Sequence, residues 1–507
     1  MAVQELRCER KSVGGFLGWV ERVGNKIPHP FILFLWLILI VWIASAVCAF
    51  FGVSVINPST KKVVVVKSLL SAEGITYILK NMIKNFTGFA PLGLVLTMTL
   101  GIGLAEQVGL ISSFMRSTML NVSPKLVTFS ILIIGICGNI ASDAAIIIVP
   151  AVAGMIFASL GRHPFAGIAI GYASTTAGFS ANLIISGTDV LLGGITNEAM
   201  AIVDKSVTIS PAANYYFILV STVLLAIVGT LVTEKIIEPR LGKYNGKKEI
   251  ITEEVTKEEK AGLRKAGWAT LVYMVGLIAI LIPKTSFLRN PKTHSLVPSP
   301  FLDSLIPFIL FLFILISIVY GKEVGKIKSM ADIPKYMSAA ITGMSSYIVL
   351  VFVIGQFIAH FNWSNLGYVL AVKGADLLSA ANFTGIPLFI GFVILTAFIN
   401  LFIGSGSAKW SLLAPIFVPM FYMLGYSPAL TQVLYRIGDS PTNIISPLFP
   451  YFPIILEYFN EYDEDAGVGT VLSMMIPYSI AMLIGWILLA IVWYLIGIPL
   501  GPGAPVR

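Results

Sequence analysis

The chain has 507 residues, 56% of them hydrophobic and only 12% charged, with a mean hydropathy of +0.87. That composition excludes a soluble globular domain and reads as an all-α polytopic membrane protein. The net charge of +8 is spread through loops without aromatic-interleaved basic patches, so nucleic acid is not indicated. Three scattered cysteines and four histidines (His29, His163, His294 and His360) show no disulfide or metal spacing, so no zinc, haem or other cofactor is expected.

Residues 1–30 read as a cytoplasmic N-terminus with an interfacial helix over 12–27. The apolar run that follows is too long for a signal peptide and lacks a small-residue cleavage site. Phe31–Phe51 is the first span. Residues 52–88 form a polar-to-amphipathic excursion carrying lysines 61, 62, 67, 80 and 84, and 89–108 is span two. Residues 125–160 are apolar but broken by Gly138-Asn-Ile-Ala-Ser-Asp143, and each arm is short of the roughly 20 residues that a crossing needs. A re-entrant hairpin with a polar tip is therefore expected. Residues 164–194 are one discontinuous span, interrupted at Ser174–Asn182, with Asp189 beyond the break. Span four, 213–235, closes a first half over 31–235.

Residues 236–263 are a Lys/Glu-rich cytoplasmic loop, in part helical. The second half, 264–498, then holds spans at 264–283, 302–320 and 338–360, and an interfacial stretch at 366–386. A second hairpin follows at 387–424 with its tip at 404–410, and a second discontinuous span at 428–456 breaks at Gly438-Asp-Ser-Pro-Thr-Asn443. A final span at 470–498 and a tail at 499–507 complete nine crossings and two hairpins. With the N-terminus inside, Lys and Arg are in excess on the inner segments, as topology requires. The lysines of 52–88 are the exception.

The two halves repeat a pattern. Asn139–Ser142 with the run to Pro150 matches Gly404–Ser407 with the run to Pro415, and in each the Ser precedes the Pro by eight residues. Each hairpin is followed by a discontinuous span with a Gly and an Asn at its break: Gly178 and Asn182, then Gly438 and Asn443. The charge bias orients the two units oppositely. Inverted repeats of this kind place substrate and ion sites where their broken helices meet.

Lys409, Arg436 and Asp439 are charges within membrane-length segments, each costing roughly 2.5–3.5 kcal/mol at the bilayer centre on insertion scales. They imply a cavity and partners, or else a kinked helix with a satisfied structural ion pair. Half-helix N-termini suit a carboxylate, while unwound carbonyls and Ser, Asn or Asp oxygens suit Na⁺. Candidates in the first half are Asn139, Ser142, Asp143 and Asn182. In the second they are Asn400, Ser405, Ser407, Asp439 and Asn443. Arg436 offers a planar fork to a carboxylate, unless it pairs with Asp439 three residues on. Trp410 stacks on an aromatic ring or simply packs, and Lys409 snorkels or meets an anion. Pro428 and Pro447 bracket the last broken span and shape its backbone.

The runs Gly404-Ser-Gly-Ser-Ala-Lys-Trp410, Pro415-Ile-Phe-Val-Pro-Met-Phe421 and Tyr435-Arg-Ile-Gly-Asp-Ser-Pro-Thr-Asn-Ile-Ile-Ser-Pro447 resemble the p-aminobenzoyl-glutamate transporter (AbgT) family of bacterial inner-membrane proteins. The resemblance covers the whole chain. It implies a homodimeric, ion-coupled transporter of p-aminobenzoyl-glutamate, a folate catabolite, with nine transmembrane helices and two hairpins per protomer. Some members are thought to export sulfonamide antimetabolites. Family roles would fall on Asp189, Asn400, Trp410, Pro428, Arg436, Asp439 and Pro447, with Asn400 and Asp439 as cation ligands. No phosphate-binding GxxxxGK[ST] loop is present, which favours a secondary transporter over a pump. The rivals are a dicarboxylate or citrate carrier of two-hairpin design, an intramembrane hydrolase built on Asp439 and Asp143, and a passive channel. The coupling ion is expected to be Na⁺ or H⁺.

Overall fold

The computed structural model describes residues 28–56, 61–120, 123, 126–141, 143–242, 255–446 and 449–507. The expected interfacial helix at 12–27, together with Ser142, Pro447 and the side chain of Asp143, lies outside the described residues.

The first span is α1 (Pro30–Phe50), started by Pro30 in its first turn and the His29 side chain accepting from Phe31 N–H. The 52–88 excursion is more ordered than its polarity suggests. It forms an antiparallel ribbon of β1 (Ser54–Ile56) and β2 (Val63–Val65), then an amphipathic helix α2 (Ala72–Thr87) capped by Ser71. Span two is α3 (Ala90–Gln107). A short helix α4 (Leu110–Leu120) follows that had no counterpart among the expected elements. Its Arg116 and Ser113 both bind Glu259, which explains why so polar a helix packs.

Hairpin 1 comprises α5 (Val127–Gly138), a single 3₁₀ turn at Asn139–Ala141, and α6 (Asp143–Ser159). The first broken span is α7 (Pro164–Tyr172), a π-turn at Ala173–Ala177, an irregular stretch, and α8 (Gly187–Met200). Small residues let α7 lie directly on α6. A Cβ on Gly167 would stand 2.3 Å from the Ala153 carbonyl oxygen, and one on Gly171 2.5 Å from Pro150 Cα. Helices in lipid associate through such close backbone approach. Span four is α9 (Tyr215–Val232), which runs on through a second π-turn to Leu241. Arg162, in the α6–α7 loop, grips Glu238 at the end of this run with two bonds of 2.7 and 2.8 Å.

In the second half the expected loop 236–263 becomes helical sooner. The Thr256–Glu259 capping box starts α10 (Lys257–Leu281) seven residues ahead of the expected span. It is followed by α11 (Leu305–Glu323). The span expected at 338–360 is two helices, α12 (Asp332–Gly343) and α13 (Ser345–Trp363), because the chain breaks at Met344. Helix α14 (Leu366–Ala380) lies against hairpin 2, which is α15 (Ile386–Asn400) and α16 (Gly406–Met423). Its arms run antiparallel, with Phe392 against Phe417 and Phe421 at ring separations of 4.6 and 5.3 Å. The second broken span is α17 (Pro428–Asp439), a 3₁₀ turn at Asn443–Ile445, and α18 (Phe452–Asn460). Helix α19 (Val468–Ile496) is last.

Among the described residues, seven stretches are long and apolar enough to cross a membrane: α1, α2 with α3, α9, α10, α11, α13 and α19. The two broken spans and the hairpins are interleaved with them. Buried side chains from hairpin 1, hairpin 2 and both broken spans share one large apolar core.

Candidate functional site

The site grows from the ends of four short helices. Pro428 opens α17, with the Ser427 hydroxyl accepting from Leu430 N–H at 3.2 Å. That start sets the helix so that Tyr435, Arg436 and Asp439 all fall in its last turn, buried. Gly438 permits the placement, since a Cβ there would meet Thr396 Cβ and the Val393 carbonyl oxygen at 2.6 Å. The end of α17 therefore lies flat against the first arm of hairpin 2.

The tip of hairpin 2 meets this end. Residues 401–405 separate α15 from α16, and the Ser405 hydroxyl accepts from Ala408 N–H to cap α16. Ser405 and Ser407 approach each other at 3.4 Å and remain partly exposed, so the tip reaches accessible space. The Asp439 carboxylate lies over Gly406 at the N-terminus of α16, 3.3 Å from where a Cβ would stand. This is where a helix favours negative charge.

The charges are partnered, but not as sequence proximity suggests. Arg436 does not pair with Asp439. Asp439 Oδ1 binds Lys409 Nζ at 2.6 Å, and Arg436 Nη2 lies 2.7 Å from Asp189 Oδ1. Both pairs are almost fully buried. The second pair joins the halves, because Asp189 caps α8 in the first: its Oδ2 accepts from Ser186 N–H and the Ser186 hydroxyl at 2.6 and 2.8 Å. Lys409 does not snorkel. Its ammonium also donates to Asn400 Oδ1. Asn400 Nδ2 in turn reaches the Asp439 carbonyl, Thr442 Oγ1 and Asn443 Oδ1. Asn400, Lys409, Asp439 and Asn443 thus form one connected polar knot, with Tyr435 donating to Asp439 and to the Gly406 carbonyl.

Trp410 is wholly buried. Its ring lies 4.4 Å from that of Tyr435, and its Nε1 donates to the Leu192 carbonyl and Thr196 Oγ1. In this conformation it packs and holds hairpin 2 to α8. Sequence reading missed the network behind it: Thr196 binds Gln432 at 2.7 Å, and Gln432 binds Asn214 at 2.9 Å. The signal available was three uncharged polar residues inside apolar helices, weaker than a charge.

The first-half residues sit close by. Arg436 Nη1 donates to the Ser180 carbonyl in the break of the first broken span. Ser180 Oγ, Asn182 Nδ2 and Arg436 Nε are buried and without a hydrogen-bond partner among the described residues. Asn139 Nδ2 points to the Gly178 carbonyl at 3.5 Å. The repeat register differs from the expected one. Asn139 corresponds to Asn400 rather than to Gly404, since each ends the first arm of its hairpin and each donates to a carbonyl 39 residues later. Between this asparagine and the second arm, hairpin 2 has five residues (401–405) and hairpin 1 three (140–142). Behind α8, on the side away from Trp410, lies a cavity of about 310 Å³ lined by Val190, Gly193, Gly194, Asn197 and Leu302 among others.

A family model for AbgT transporters matches residues 15–507. The chain belongs to the AbgT transporter family. This AbgT protein is 44% identical to the p-aminobenzoyl-glutamate transport protein of Escherichia coli K12 over 490 residues, covering 97% of this chain and 96% of that one. Its structure superposes on the YdaH transporter of Alcanivorax borkumensis with a TM-score of 0.90, at 38% identity, over 94% of this chain and all of that one. It superposes on Neisseria gonorrhoeae MtrF, described with a class of antimetabolite efflux pumps, with a TM-score of 0.91, at 43% identity, over 97% of this chain and all of that one. AbgT proteins are multi-pass membrane transporters, not enzymes, so the expected fold class and transport activity hold.

Proposed function

We propose that this protein is a secondary, cation-coupled transporter of p-aminobenzoyl-glutamate or a closely related aromatic amino-acid conjugate. In this reading it works as a homodimer in a bacterial inner membrane, with the seven continuous spans and two broken ones making nine crossings, and the two units are inverted. The supporting observation is the Arg436–Asp189 pair at the junction of the two halves, next to unpaired buried donors on Arg436, Ser180 and Asn182. A carboxylate entering there would take those donors and compete with Asp189 for the guanidinium. Buried donors without acceptors each cost roughly 1–3 kcal/mol, which an anionic ligand relieves. Asn443, Ser405 and Ser407 extend the polar surface from that point to the accessible tip.

The coupling ion is Na⁺ or H⁺. The oxygen-rich places for it are Asn400 with Asp439, and Asn139 with the neighbouring Ser142. Likeness to MtrF, described with antimetabolite efflux pumps, supports outward movement of antimetabolites as a further activity, with sulfonamides the kind that the family resemblance implies. The test is uptake of labelled p-aminobenzoyl-glutamate into proteoliposomes, with Na⁺ and pH gradients imposed separately. One gradient is expected to drive accumulation above equilibrium. Equilibration without accumulation under both would identify a passive channel, and stronger competition by succinate than by benzoyl-glutamate would identify a dicarboxylate carrier.

A further inference from the structure

Behind the charged site, four buried side chains make a single line of hydrogen bonds. Trp410 Nε1 donates to Thr196 Oγ1 at 3.0 Å, and the Thr196 hydroxyl to Gln432 Oε1 at 2.7 Å. Gln432 Nε2 donates to Asn214 Oδ1 at 2.9 Å, and Asn214 Nδ2 to the Ala429 carbonyl at 3.0 Å. Trp410 and Thr196 are wholly buried, Gln432 and Asn214 nearly so. The line passes from hairpin 2 to α8, to α17, to the residue that caps α9, and back to the first turn of α17.

The two ends settle its direction. An indole N–H only donates, and a peptide carbonyl only accepts. Asn214 must therefore turn its NH₂ to Ala429 and its oxygen to Gln432. Gln432 must then offer its NH₂ to Asn214 and its oxygen to Thr196, whose lone pair is left for the indole. The Leu192 carbonyl is near the same hydroxyl, but Gln432 Oε1 has no other donor among the described residues. Neither amide can be flipped, or replaced by a carboxylate, without breaking a link. Buried chains of this kind strengthen their own members by mutual polarisation.

The line runs beside the charged pair. Gln432 lies one turn before Arg436 on α17, so both reach α8, Gln432 at Thr196 and Arg436 at Asp189. Helix α8 is thus pinned to α17 at two points, one charged and one neutral. At the head of the line, Trp410 packs on Tyr435 with the rings 4.4 Å apart, and Tyr435 donates to Asp439. At its foot, Asn214 ties the assembly to the start of α9, a continuous span.

We propose that Thr196, Gln432 and Asn214 are positioning residues for the substrate site. They fix the Trp410 ring against Tyr435, and they keep α8 on α17 when an anion draws Arg436 from Asp189. Their part in transport rests on the reading of that junction as the substrate site, whereas their hold on Trp410 does not. The competing account is a polar network that stabilises the fold and leaves the site indifferent to it.

The experiment uses the full-length protein in nanodiscs, labelled with 5-fluorotryptophan, and has two readouts. The first is the fluorine NMR resonance of Trp410, assigned by its loss in Trp410→Phe. Thr196→Val and Gln432→Leu are expected to shift or split this resonance, and Thr196→Ser, which keeps the hydroxyl, to leave it in place. An unshifted resonance in both Thr196→Val and Gln432→Leu overturns the proposal. The second readout is equilibrium binding of labelled p-aminobenzoyl-glutamate. Gln432→Leu is expected to weaken it roughly ten-fold alone, and less than about two-fold when Trp410 is already Phe, because both changes cut one line. Full additivity, or wild-type affinity in Gln432→Leu, overturns the proposal in favour of a purely structural network. Should Gln432→Leu not yield folded protein, Thr196→Val, which keeps the side-chain shape, decides both readouts by the same criteria. If the wild type binds no p-aminobenzoyl-glutamate, the substrate reading falls, and the fluorine resonance still decides whether the line holds Trp410.

Discussion

Asp439 is held by Lys409 and Tyr435, and Arg436 by Asp189, all within the protein interior. Removing one member of a buried pair strands the other charge, at about 3–5 kcal/mol. Asp439→Ala is therefore expected to abolish uptake and also to lower thermal stability, because the Lys409 ammonium loses its partner. Lys409→Met added to it is expected to recover most of the stability but not the uptake. Thermal melts of the four proteins of this cycle test it, and a double variant no more stable than Asp439→Ala would refute the pairing. Arg436→Lys keeps the charge and loses the planar fork. It is expected to fold, and to bind substrate at least ten-fold more weakly in a direct binding assay. The sequence showed that these charges needed partners, but not which ones. Three residues along a helix suggested Arg436 with Asp439, yet Arg436 turns to Asp189 across the junction of the halves, a contact 247 residues distant in chain order and invisible to any local pattern.

At the scale of elements, most boundaries were legible because hydropathy and breaks are local. Gly-Ser and Gly-Asn interruptions marked both hairpins and both broken spans, and Pro150 and Pro415 do lie inside the second arms. The break at Met344 was overlooked although Gly343 precedes it and Ser345 and Ser346 follow, because the apolar residues on either side together have the length of one span. Helix α4 was missed for the opposite reason: its polar residues find their partner, Glu259, in a distant segment. The contact between α17 and α15 depends on Gly438, whose Cβ would be 2.6 Å from Thr396 and Val393. Gly438→Ala is expected to cost about 1–3 kcal/mol through overpacking. It should also move Asp439 away from Gly406, so uptake falls more than the melting temperature does. Trp410→Phe keeps most of the ring and removes the N–H that reaches α8. An expected stability loss of about 1 kcal/mol for that hydrogen bond, with a larger fall in uptake, would mark Trp410 as a positioning residue. Unchanged uptake would make it packing alone.

For the whole molecule, helix α8 occupies an unusual position. One side of it carries Asp189, the Leu192 carbonyl and Thr196, all tied to the second half. The other side borders the cavity of about 310 Å³, where Gly193 presents bare backbone while Gly194 packs on Pro91 and Leu94 of α3. Close-packed interiors resist displacement because something else must give way. Beside Gly193 that resistance is lower: on the proposed reading, a substrate that drew Arg436 off Asp189 would release a helix with free volume next to it. A Cβ on Gly193 would meet nothing nearer than the Ser210 carbonyl oxygen at 4.0 Å, so Gly193→Leu can plug that space. Such a plug should leave the melting temperature level or higher while turnover slows, which separates a helix that must travel from one that merely stands beside a void.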